Sequence, residues 1–302
     1  MSRPTPSARP VSPALRLLVL GPLAVTAGGV FLSLTFFGGS TDGLFAWRMS
    51  PVTAALLGAG YGGSCVMLTL ALRARAWEKV RVATAASALF MLLMLGASLL
   101  GHRTLHLTGG SLPAFAAAWG WLGVHLAAPL VGLVALGAQW RVAGAKPPRA
   151  PRLPWWVAAP VLSSGLTVTA TGLLLYALPD AAARRWPWEV RPLDVRVLGA
   201  WCLAFGVALL LGWWEAELRR VLGGMAALVV TGLLGLVGLL RNGGLIDWCG
   251  PGAWLVVLLL AAFAGLGLSG AGVSWLIDPP EQADGPEVQL QESAGVRPAR
   301  PA

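Results

Sequence analysis

Residues 186–220 read WPWEVRPLDVRVLGAWCLAFGVALLLGWWEAELRR, and residues 45–81 read FAWRMSPVTAALLGAGYGGSCVMLTLALRARAWEKVR. The two stretches are one pattern written twice. Each opens with an aromatic residue, one spacer, a Trp, three residues, a Pro, six residues and Gly-Ala. In the first copy these are Phe45, Trp47, Pro51 and Gly58-Ala59; in the second they are Trp186, Trp188, Pro192 and Gly199-Ala200. Each copy then runs through an apolar stretch that closes on Trp-Glu followed by Arg: Trp77, Glu78 and Arg81, then Trp214, Glu215 and Arg219. A single offset of 141 residues relates the Trp, Pro and Gly positions of the two openings. The pattern predicts a duplicated chain.

Working outward from these stretches, apolar runs long enough to cross a ~30 Å hydrocarbon layer fall at residues 15–37, 51–72, 82–101, 112–139, 155–178, 195–213, 221–240 and 252–276. Runs of this length satisfy their backbone in lipid as helices. The expected fold is therefore all-α: a polytopic integral membrane protein of eight transmembrane helices, arranged as two four-helix repeats. Four spans per repeat is an even number, so both repeats enter the membrane in the same direction and are parallel. The expected units are a disordered cytoplasmic tail over 1–14, a first repeat over 15–143, a Pro-rich basic linker over 144–154, a second repeat over 155–277 and a disordered tail over 278–302. No small-residue cleavage site follows the first run, which reads as a retained span.

Composition agrees. The 302 residues are 56% hydrophobic and 12% charged, with a mean hydropathy of +0.71; soluble domains carry roughly 25% charged residues. The net charge of +9 lies between the apolar runs, where it sets topology and meets anionic lipid, so nucleic acid is not the expected partner. With the N-terminus inside, 15 Arg and Lys residues face the cytoplasm and 7 face out. Both termini are expected in the cytoplasm. The near-absence of Lys, with only Lys79 and Lys146, points to an Arg-rich bacterial source and hence to an inner membrane. Three cysteines exclude a disulfide framework, although one bridge between Cys202 and Cys249 stays open.

No Asp, Glu, Lys or Arg stands in the middle of a run. Such residues mark ion paths and proton relays, so an ion-coupled transporter is not expected, and no catalytic constellation is visible. The first candidate site is an outward-facing vestibule at the two Trp-x3-Pro turns. Pro suits the first turn of a helix, and Trp suits the headgroup level. Each copy places an arginine between them, Arg48 and Arg191. The vestibule residues are Trp47, Arg48, Trp188, Arg191, Asp194, Arg196, Arg241 and Asp247, a set suited to an anionic headgroup or solute. This reading makes the chain permease-like, or a binder of lipid or solute, with membrane lipids as partners.

The second candidate is a haem or divalent-metal site, with His125 in mid-span and His102 and His106 four residues apart beyond the third run. On a continuing helix those two share a face; if the segment is a loop they do not. No cofactor is required by the vestibule reading. Trp-Glu-x2/3-Arg is expected to pair within one helix. Gly58, Gly62, Gly265 and Gly267 suit close helix packing, either inside the bundle or against a membrane partner or second copy. Two parallel four-helix halves in a chain of this length resemble the haem A synthase architecture. That resemblance implies membrane histidines in each half and a glutamate beside one. The second half here contains no histidine, so the resemblance covers architecture alone.

Overall fold

The computed structural model describes residues 8–145, 155–215 and 217–277. Eight of its helices are long and apolar enough to cross a membrane. In chain order they are α1 (Pro13–Leu44, whose longest α-helical part is Gly21–Phe37), α2 (Pro51–Arg73), α3 (Arg81–Leu100), α4 (Leu112–Trp140), α5 (Trp155–Ala177), α6 (Pro192–Glu215), α7 (Leu218–Arg241) and α8 (Pro251–Ile277). Local chemistry sets several starts. Ser50 accepts from the Thr53 amide ahead of Pro51, and Ser111 accepts from the Ala114 amide ahead of α4; each satisfies a donor that a helix start leaves bare. At α6 the task is reversed, with the Asp194 carboxylate taking the Arg191 amide at 2.9 Å.

The helices pair as hairpins, α1 with α2, α3 with α4, α5 with α6 and α7 with α8. The hairpins then cross: α2 lies against α7, and α3 against α6. α2 and α6 are the most buried of the eight and α4 the least. Between them lies an aromatic core in which Trp201 meets Tyr61 edge-on at 5.0 Å and Phe90 at 4.1 Å. Large apolar side chains face outward on the peripheral helices, among them Leu133, Val134, Leu173, Leu174, Leu255 and Leu258.

Several details differ from expectation. Residues 8–14 are packed rather than free: Val11 and Ser12 are buried, the Ser12 amide donates to Gln139 at 2.7 Å, and Gln139 returns a bond to the Pro10 carbonyl. A buried glutamine at the end of α4 ties this segment down, and the preceding residues 1–7 lie outside the described ones. Tail 278–302 and linker residues 146–154 also lie outside them. The acid-base pair at the Glu215 end is not intrahelical. Glu215 pairs with Arg81 of α3 and with Arg220, because α3 and α6 lie side by side; the Arg219 side chain lies outside the described residues. Gly58 and Gly62 are consumed inside the bundle, against Leu34 and Phe31 of α1 and Leu234 of α7, and Gly267 against Met225 and Val229. Gly265 faces open space. All three cysteines are free.

Candidate functional site

At the end where α2 and α6 begin, the two Trp-x3-Pro turns meet. Trp47 is fully buried and donates through Nε1 to Asp194 Oδ1 at 2.8 Å. Trp188, 141 residues later, donates to Thr53 Oγ1 at 3.0 Å. Thr53 and Asp194 are themselves 141 residues apart and stand on α2 and α6. Each tryptophan thus reaches the helix that follows the other. Both indoles are packed inside the protein, for Trp188 is buried as well. An indole N–H taken out of water needs an acceptor, and the opposite helix start supplies one.

Above this pair lies a polar cleft of about 360 Å³, walled by Arg48, Ser50, Trp188, Glu189, Arg191 and Asp194 and edged by Asp42. Arg48 is exposed and Arg191 half-buried. Neither guanidinium has a salt bridge among the described residues. Of the eight residues expected in a vestibule, Arg48, Trp188, Arg191 and Asp194 share this cleft, and Trp47 holds Asp194 from below. The other three sit elsewhere. Arg196 donates through Nε to the Tyr176 carbonyl at 3.3 Å; two residues along a helix from Asp194, it is turned about 200° away. Arg241 edges a separate cavity of about 160 Å³ beside Asn242. Asp247 is exposed and accepts from the Cys249 amide. The acids Asp42 and Glu189 were missed, since nothing in their spacing distinguishes them from loop charges.

The histidines occupy three places. His102 sits in a short turn (His102–Thr104) followed by extended backbone at Leu105, so it shares no helix face with His106. Its Nδ1 lies 3.0 Å from the Leu99 carbonyl. His106 faces the Phe45 carbonyl at 3.1 Å and Asp42 at 3.5 Å. His125 is buried in α4, with Nδ1 2.7 Å from the Trp121 carbonyl. Among the described residues no three His, Cys, Asp or Glu side chains come together as a metal site. No family model, curated protein or solved structure matches this chain.

Proposed function

We propose that the chain is a bacterial inner-membrane protein of two parallel four-helix repeats with both termini in the cytoplasm. It binds an anionic headgroup or solute in an outward-facing cleft, in the manner of a permease or lipid-binding protein. Membrane insertion is supported by the outward apolar side chains of α4, α5 and α8, since soluble surfaces rarely expose such continuous apolar area. The arginine bias supports the orientation. The repeat reading draws support from the exchanged tryptophan bonds and from the matching pairs α2 on α7 and α6 on α3, which are the relations a twofold axis along the membrane normal would generate.

The observation that carries the binding role is the cleft itself, where Arg48 and Arg191 arrive at one polar cavity from equivalent positions of the two turns. Two guanidinium groups with no salt bridge among the described residues suit a phosphate, which takes forked, charge-assisted bonds. Asp42 and Glu189 at the same wall would receive an amine on that phosphate. The test is binding of short-chain phosphatidylglycerol and phosphatidylethanolamine to purified protein by native mass spectrometry. Arg48→Gln with Arg191→Gln lowers affinity about tenfold or more, at roughly 1.5–3 kcal/mol for each charged hydrogen bond, while thermal unfolding stays as in the wild type. Unchanged affinity for both lipids rejects the role.

A further inference from the structure

We infer that a second cavity, walled by His125 and Tyr61, binds one neutral membrane-soluble molecule that carries a hydroxyl group. The cavity measures about 290 Å³ and lies among α1, α2, α3, α4 and α6. No Asp, Glu, Lys or Arg lines it, so a charged ligand would find no counter-charge in a low-dielectric site. Three of the residues that line it carry a buried polar atom with no hydrogen-bond partner among the described residues: His125 Nε2, the Tyr61 hydroxyl and Trp201 Nε1. His125 is 3% exposed and Tyr61 5%. Buried polar groups in folded proteins are nearly always paired, and a phenol and an imidazole left bare on one wall are places for a ligand's polar head. Both rings rest on Trp121, at 4.4 Å for His125 and 6.3 Å for Tyr61.

The hydrogen-bond roles select the ligand. A carbonyl oxygen only accepts, so His125 carries its proton on Nδ1, facing Trp121, and the neutral ring leaves Nε2 as an acceptor. Tyr61 offers a donor. A hydroxyl can serve either group, donating to Nε2 or accepting from the phenol. A ketone or quinone can answer the donors of Tyr61 and Trp201 but leaves Nε2 bare. The ligand is therefore an apolar alcohol, phenol or quinol.

A comparison within the chain separates this chemistry from the demands of the fold, and it rests on the two-repeat reading. A cavity of about 310 Å³ occupies the matching place of the other half. At the shared offset, Trp186 stands for Phe45, Cys202 for Tyr61 and Phe205 for Ser64. That wall has no tyrosine or histidine. The hollow recurs; the phenol and imidazole do not, so packing alone does not require them. Access is lateral. α1 and α4 meet through residues 13–20 at one end and Thr41–Leu44 at the other. Between these contacts, Gly29 of α1 and Gly120 of α4 line the cavity with open space at their Cβ positions.

The test is equilibrium binding to purified protein of radiolabelled farnesol and of a short-chain benzoquinol beside its quinone. At least one hydroxylated probe is expected to saturate at one per chain, with the quinol held more tightly than the quinone if the ring is the recognised head. Tyr61→Phe and His125→Leu each weaken it by ~fivefold or more, the loss of one hydrogen bond, and Cys202→Ala changes nothing. Farnesol alone binding assigns an isoprenoid alcohol; the quinol alone assigns an aromatic diol. Tyr61→Phe removes only an unpaired hydroxyl, so it folds as well as the wild type. If neither probe saturates, or if both variants bind as the wild type does, the inference is wrong. The Arg48→Gln, Arg191→Gln variant keeps these affinities, so the two sites succeed or fail separately.

Discussion

Trp47 and Trp188 occupy equivalent positions in the sequence and make equivalent reaches, yet their acceptors differ in what they keep when the indole is removed. Thr53 retains Ser50 as a partner at 3.0 Å. Among the described residues Asp194 Oδ1 accepts from the Trp47 indole alone, its other oxygen serving the Arg191 amide. Trp47→Phe therefore leaves a buried carboxyl oxygen bare and is expected to destabilise by about 1–3 kcal/mol beyond the loss of indole packing. Trp188→Phe costs roughly 0.5–1.5 kcal/mol for its hydrogen bond. Thermal unfolding in detergent checks the order; a smaller loss for Trp47→Phe contradicts it. The spacing of these tryptophans is legible in the sequence. Their acceptors are not, because Thr53 and Asp194 differ in chemistry and lie 135 and 147 residues from the donors they serve.

Among the elements, α5 and α6 make the closest pairing, and glycine permits it. A Cβ at Gly206 would come within 2.6 Å of the Thr169 amide nitrogen, and one at Gly172 within 2.9 Å of the Cys202 Cβ. Neither neighbour can rotate away, since one is backbone and the other a Cβ. Gly206→Ala is expected to lower stability by about 1–3 kcal/mol. Gly265→Ala, which meets nothing within 4 Å, is neutral or stabilises by up to ~1 kcal/mol through helix propensity. Thermal melts of the two variants decide it, and equal melts refute the packing account. In the sequence these glycines look alike, for each sits in an apolar run. Only the neighbouring helix distinguishes a contact glycine from one facing outward.

The hairpins of the whole molecule are crossed, so close helix contacts join the two halves of the chain. α2 packs on α7 and α3 on α6, and Glu215 of α6 pairs with Arg81 of α3. Chains covering residues 1–145 and 146–302, expressed separately in one cell, are expected to co-purify as a one-to-one complex. Gly63→Leu in the first chain, whose Cβ alone would come within 2.6 Å of the Ala227 carbonyl oxygen, should abolish the complex. Independent, non-associating halves would refute the crossed arrangement as the source of stability.

By itself the sequence determined the helices. Eight long apolar runs, the Pro and Ser residues at their starts and the absence of mid-span charge dictate local structure, since a lipid-length apolar segment has one way to satisfy its backbone. It also marked the two turns and the arginines that now wall one cleft. Tertiary structure alone decided who meets whom. Tyr61 and His125 stand on different helices, 64 residues apart in sequence, and no periodicity links them. Both residues line one hollow because α2 and α4 help to enclose it, and burial leaves a polar atom of each needing a partner that the described residues do not supply.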